Sequence, residues 1–475
     1  MLIRTWRDER LAFLVATLAV GLVASLLYTP LVLVALLVVP SAIYFSTRPY
    51  ELLLLMVFFI PFNFVFKVGP LPVAFEVIKI VAWIPFLLTR RDRPQFVSSR
   101  FNKWFAAIAI VILLSLARAK DFPFTLKECV RIGSNLGLVY LCLNLVRTRE
   151  QVLQICRVLV VSTFVVALYG FYQWIIQDYG ALFWIVNPRL DTSLAHYRDY
   201  FWEWRHRIIS VLTSEMELGH YFNMCLPIGA LLWITEGRRR FESKWLWMTL
   251  AMFVGLILTF TFGAWLAVAA TCGLAILRFG GPKKWKVLAW SLAAFAFLAT
   301  VLAFGPLRSV IEAKASGTGI GSLAWDAATR LYGWKLALQV WWAHPLLGGG
   351  IGNYESVSAS YDFILGANSQ GSSPHETYLY LLADYGLIGG ISIFYVLWKS
   401  VRTNLRLFIE REGGTAIVAA ALAFAICCNL VGWFADDSGF LGPHASYLLW
   451  LFVGLSEALC RMRKNPVGDD AVEVC

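Results

Sequence analysis

Apolar runs long enough to cross ~30 Å of hydrocarbon as helices, about 17–25 residues each, recur along the whole chain. They fall near 11–28, 31–46, 50–66, 70–88, 104–118, 129–146, 154–176, 210–234, 245–261, 262–278, 287–305, 376–398, 415–433 and 441–459. The pair over 245–278 reads either as a tight hairpin or as one segment. The expected fold is therefore an all-α integral membrane protein with about 12–14 transmembrane helices.

Composition agrees. Of 475 residues, 59% are apolar and 15% charged, and the mean hydropathy is +0.67, which excludes an ordinary soluble domain. Twenty Trp and eighteen Tyr suit belts at the two membrane–water boundaries. The net charge of +11 would fit nucleic acid if it formed a face, but it lies in short clusters between apolar runs, so no nucleic acid is expected. Nine cysteines contain no CxxC pair, and Cys225, Cys272, Cys427 and Cys428 sit inside apolar runs as small hydrophobes. The start, MLIRTWRDER, precedes an apolar run with no cleavage-like small residues after it and reads as a retained cytoplasmic end.

The clusters set the orientation. Arg4, Arg7 and Arg10, Arg90 to Lys103, Arg147 to Arg157, Arg238 to Lys244, Arg278 to Lys286, Lys399 to Arg411 and Arg461 to Lys464 all fall on one side if the N-terminus is inside. The positive-inside rule then holds at nearly every turn, with both termini cytoplasmic. Two outside loops, about 178–209 and about 306–375, are much longer than the rest, and long ordered connections tend to be functional. They carry Arg189, Arg198, Arg205 and Arg207, then Arg308, Lys314, Arg330 and Lys335, on the side topology disfavours. An anionic partner outside explains their presence.

Within the second loop, 322–345 has helical character, with Ser322 as N-cap and Asp326 early. Arg330, Trp334, Ala337 and Trp341 share one face, and Trp341 and Trp342 suit headgroup level. Pro345 and the glycines of HPLLGGGIGNY end the helix. In SSPHETYLYLLADYGLIGG (372–390) a polar loop becomes an apolar helix at His375 and Glu376. Guanidinium forks match phosphate oxygens, and an imidazole near its pKa suits general-base work. Cations plus a base beside lipid point to a phosphorylated lipid substrate.

These segments resemble the O-antigen ligase/polymerase family of bacterial membrane glycosyltransferases. The shared features are Arg330 with Trp334, the His344 to Asn353 turn, and His375-Glu376-Thr377-Tyr378-Leu379. RIISVLTSEMELGHYF (207–222) is similar to the family's arginine-led segment, with Glu215-Met216 replacing its usual Pro-Asn pair. Thr261-Phe262-Gly263 departs from a frequent Ser-Arg-Gly. The resemblance spans about 200–400 and implies a GT-C-like fold and an inverting glycosyltransferase without metal or cofactor. Its donor would be an undecaprenyl-diphosphate-linked glycan and its acceptor a glycan or lipid-linked glycan, amid membrane lipids at the periplasmic face of the inner membrane. By that resemblance His375 is the catalytic base and Arg207 and Arg330 bind the diphosphate, with Glu376, Tyr378, Asn353 and Arg205 as possible supports. The expected organisation is N-terminal transmembrane helices over 1–177, a periplasmic loop over 178–209 and central transmembrane helices over 210–305. A large, partly helical periplasmic loop with an interfacial helix then covers 306–375, and transmembrane helices with a cytoplasmic tail cover 376–475.

Plainer roles compete at each position. Glu376 either orients the imidazole or is a first-turn carboxylate. Arg330 could snorkel, Arg205 and His206 rival Arg207, and His344 reads as structural. Asp436-Asp437 resembles a metal pair, but adjacent carboxylates rarely share one. Glu76 and Lys79 lie three apart within a span and fit a structural pair. Polymerisation of repeat units is the expected activity, with ligation of a finished glycan as the alternative and lipid-linked glycan transport less favoured, because broken helices and internal repeats are not apparent.

Overall fold

The computed structural model describes Tyr44, 48–62, 66–68, 71–73, Lys79, 83–88, 96–176, 207–212, 214–237, 243–279, 323–361, 374–410 and 414–464. Its helices are α1 Pro49–Phe59, α2 Trp83–Leu88, α3 Asn102–Ala117, α4 Phe122–Leu145, α5 Arg149–Ile176, α6 Glu215–Glu236 and α7 Lys244–Leu258. They continue with α8 Phe262–Phe279, α9 Leu323–Ala343, α10 Tyr354–Ser358, α11 Thr377–Glu410, α12 Gly414–Gly432, α13 Ser438–Leu441 and α14 Pro443–Lys464. Arg149–Ile176, Thr377–Glu410, Gly414–Gly432 and Pro443–Arg463 are long and apolar enough to cross a membrane. The chain is an all-α membrane protein apart from one small hairpin, as hydrocarbon demands of any backbone whose polar groups must pair internally.

That hairpin corrects two expected spans. α1 stops at Phe59, short of residue 66, and Phe66–Val68 pairs antiparallel with Leu71–Val73 inside the run expected to cross from 70. Gly69-Pro70 and Pro72 deny a helix the donors it needs there and favour a turn. The expected spans at 11–28, 31–46 and 287–305 lie outside the described residues.

Helix starts follow local chemistry. The Asp121 side chain accepts from Phe124 N at 3.2 Å with a proline in the first turn of α4, and Ser214 caps α6 by accepting from Glu217 N at 3.1 Å. α14 packs against α4, while α6 and α11 both pack against α12. Charges inside the bundle are partnered, as lipid requires. Arg131 pairs with Glu128 at 2.6 Å. Lys79 Nζ donates to Asn135 Oδ1 at 2.7 Å and lies 3.7 Å from the Tyr447 ring centroid; Glu76 lies outside the described residues.

α11 is broken near its start, and the glycine turn after α9 fills the break. Gly386 adopts φ +64°. Gly349 N and Gly350 N donate to the carbonyls of Ala383 and Asp384 at 2.7 and 3.1 Å, while Leu387 N and Ile388 N donate to Pro345 O and Leu346 O at 2.9 and 3.1 Å. The ladder bonds lost by α11 are thus replaced across the chain. A Cβ on Gly386 would meet Gly348 N at 2.4 Å, so only glycine fits. Asp384, fully buried, accepts from Gly352 N, Tyr354 N and the Tyr380 hydroxyl at 2.8, 3.0 and 2.9 Å. The loop carrying Asn353 is therefore welded to the helix that begins beside His375.

Candidate functional site

His375 sits on the residue pair that launches α11, in left-handed backbone at φ +48°. Non-glycine residues hold that conformation only where neighbours enforce it. Here Thr377 enforces it: its N–H donates to Trp433 O at 3.0 Å and its hydroxyl to Asp436 O at 2.9 Å. The start of α11 is clasped onto the turn between α12 and α13, residues 433–437. The clasp brings an imidazole nitrogen of His375 and a carboxylate oxygen each of Asp436 and Asp437 within 4.8 Å of one another.

Both carboxylates are buried, at 3% and 6% exposure. Burial, reinforced by the neighbouring Asp436 charge, pushes the Asp437 carboxyl well above the usual carboxylate range, against the pull of its own N–H, Arg330 and the His375 backbone N–H. Asp436 Oδ1 accepts from Ser438 N at 2.6 Å.

Arg330, on α9, reaches the same turn and donates from Nη1 to Ala435 O. The expected helix over 322–345 is found as Leu323–Ala343. Leu331, Leu338 and Trp342 are exposed along it, while Ala337 is buried, so Arg330 lies on the side turned to the bundle. This is an anchored guanidinium beside the acids.

Arg207 lies on the segment that leads into α6. Nη1 pairs with Glu215 Oε1 at 2.8 Å, both side chains mostly buried. Its segment is held by Ser210, which receives an amide clamp from Gln173 (Ser210 N to Oε1 2.7 Å, Nε2 to Ser210 O 3.1 Å). Two residues further along α6, Glu217 accepts from His444 N at 2.8 Å and lies 2.9 Å from its Nδ1. α6 thus joins Arg207 to the start of α14.

Three supporting candidates find structural partners. Both oxygens of Glu376 accept helix N–H groups, Tyr378 N at 3.0 Å and Leu379 N at 2.6 Å, so Glu376 is an N-cap; burial raises its carboxyl and those two bonds oppose the rise. Tyr378 donates to Leu430 O at 2.8 Å and leans on Phe434. Asn353 Oδ1 accepts from Lys120 N and the Thr125 hydroxyl at 3.1 and 3.0 Å, tying the glycine turn to α4. His344 lies beside Arg118 and Lys120; burial and those charges lower its pKa. Arg205 and His206 lie outside the described residues. The site gains Asp436, Asp437 and Thr377, whose meeting with His375 no local pattern announces.

A cap reading of Glu376 has a measurable consequence. Glu376→Ala is expected to destabilise the protein by about 0.5–2 kcal/mol while leaving transfer per folded molecule close to wild type. Thermal melting alongside a transfer assay checks this.

His375, Asp436 and Asp437 are spaced closely enough for a small cation. Hydrogen bonds and Arg330 already engage the two acids, which gives the cluster an account that needs no ion.

No curated protein matches the chain. Residues 247–394 match the O-antigen ligase family model, a stretch that contains Arg330, the glycine turn, His375 and Glu376 but ends before Asp436. The stretch 247–394, with the motifs inside it, is thus similar to the O-antigen ligase family.

Proposed function

We propose that this protein is an inverting glycosyltransferase that joins undecaprenyl-diphosphate-linked repeat units into polymer at the periplasmic face of the bacterial inner membrane. The observation that carries the reading is the clasp that sets His375 against two buried carboxylates and beside an anchored Arg330. His375 takes the acceptor hydroxyl proton while that oxygen attacks the anomeric carbon. The bond to the carrier phosphate breaks as the new bond forms, and the leaving diphosphate keeps the electron pair. Arg330, with Arg207, balances its growing charge. Asp436 and Asp437, in place of Glu376, lie against the imidazole and orient it. By sequence the second long loop, about 306–375, supplies the outer part of this site, and its described residues 323–361 carry Arg330 and the glycine turn. The Lys and Arg clusters of the sequence support a periplasmic site and cytoplasmic termini.

Metal plays no part in this chemistry. Chelator treatment is expected to leave transfer unchanged, and activity lost to chelator and restored by a divalent cation would reassign the His375 cluster as a metal centre.

A second reading, ligation of the finished glycan to lipid A-core or another acceptor, is favoured by the description of the matched family. A deletion strain separates the two. Loss of long chains with single repeats still attached supports polymerisation, whereas loss of all attached glycan with lipid-linked polymer accumulating supports ligation.

A further inference from the structure

α4 carries a buried ion pair to which the chemistry above gives no part. Arg131 is 2% exposed and Glu128, three residues earlier, 8%. Arg131 Nε donates to Glu128 Oε2 at 2.8 Å, and Nη2 lies 2.6 Å from the same oxygen. The remaining arm, Nη1, donates to Phe440 O at 3.0 Å, in the last turn of α13. A four-residue helix cannot pair its own last carbonyls, and a buried one needs a donor from elsewhere. The Phe440 ring is itself fully buried, with ring centroids of Trp433 and Tyr385 at 5.5 and 5.8 Å.

Both ends of the pair touch loops of the site. Phe440 N and Leu441 N donate to Asp437 O at 3.0 and 2.9 Å, so the carbonyl held by Arg131 belongs to the helical turn that starts from Asp437. At the other end Glu128 lies against the glycine turn. A Cβ on Gly352 would meet Glu128 Cγ at 3.2 Å, and Gly352 N donates to Asp384 of α11 at 2.8 Å. Together with the clasp of Thr377 on Trp433 and Asp436, these contacts close a ring around the first half of α11, which begins beside His375.

Stability alone does not account for the pair. α4 packs against α14, and an apolar pair of similar volume would serve that packing at little or no cost, because the desolvation of two buried charges offsets most of their attraction. What apolar side chains cannot supply is a donor in a fixed place. The guanidinium is planar, and with two of its nitrogens against Glu128 the third is set in position. That third nitrogen is the one that takes Phe440 O.

We propose that Arg131, braced by Glu128, is a positioning residue for the transfer reaction: by holding Phe440 O it fixes the turn that presents Asp436 and Asp437 to the His375 imidazole. The proposal rests on His375 being the base. Arg131 is sealed inside the bundle, so its loss acts on turnover and not on donor capture.

The test uses the full-length protein in vesicles with lipid-linked donor, and melting is measured in parallel. Glu128→Met combined with Arg131→Leu removes both charges, so neither is left buried alone, whereas Arg131→Lys keeps the ion pair and loses the fork. Each is expected to lower kcat per folded molecule by about ten- to a hundredfold, with the donor KM unchanged. On Asp437→Asn, which alters a carboxylate being placed, the double substitution should cost much less, because groups that act as a unit are not additive. Wild-type kcat in either folded variant would overturn the proposal, as would a raised KM with kcat unchanged, or an equal fold loss on Asp437→Asn. Failure of both variants to fold would make the pair a structural strut and overturn it too. If His375→Ala is itself active, the base assignment fails instead, which separates the two ideas.

Discussion

His375→Ala is expected to lower glycan transfer by about 10²–10⁴-fold, the range for removing a positioned general base, while the protein still folds and binds donor. The expectation comes from placement. His375 is the partly exposed member of a cluster whose two acids are buried, which is where the proposed base has to stand. Its left-handed backbone is held by Thr377 and the Asp437 carboxylate. Removing the ring leaves those backbone bonds in place, and lost activity with an unchanged melting temperature reads on chemistry. Transfer measured with purified protein and lipid-linked donor, with melting and donor binding in parallel, decides the matter. Near-normal product from His375→Ala would remove the imidazole from the reaction.

The second large effect is expected at Arg330. Alanine there should reduce transfer by about 10²–10³-fold, as for the loss of one preorganised donor to developing negative charge, and should weaken donor binding. Lysine should not restore full activity. The guanidinium is planar and offers five donors in a fixed fork, and one arm is already committed to Ala435 O. A second arm can face a phosphate oxygen only because the first is tied down. An ammonium group can satisfy one partner or the other, but without that geometry. Unchanged donor affinity in Arg330→Ala would leave Arg330 as a side chain that merely snorkels from an interfacial helix.

How much of this was legible beforehand depended on whether the cause was local. α9 ends where Pro345 and the glycines forbid helix, and it spans Leu323–Ala343 against an expectation of 322–345. His375 stands at the polar–apolar seam because the seam is written in adjacent residues. Glu376 had two readings in sequence, and only the positions of its oxygens chose the cap. Asp436 and Asp437 lie some sixty residues beyond His375, on a turn whose adjacent acids resemble many solvated loops. Their role depends on Thr377 reaching Trp433 and Asp436, a long-range contact that leaves no periodic trace. Asp384 was hidden for the same reason: a carboxylate within an apolar helix start says nothing of the glycine turn it anchors 30 or so residues back. The strand pairing of Phe66–Val68 lost to hydropathy because span counting weighs length and apolarity above Gly-Pro turn chemistry.

The proposal stands or falls on whether His375, Arg330 and Arg207 meet one diphosphate above the 433–437 turn. An experimental structure with undecaprenyl diphosphate bound tests it most directly. Phosphate oxygens at about 2.7–2.9 Å from guanidinium nitrogens of Arg330 and Arg207, with the His375 ring facing the carbon that is attacked, would bear the account out. A diphosphate seated elsewhere in the bundle, beyond the reach of both arginines, would contradict it.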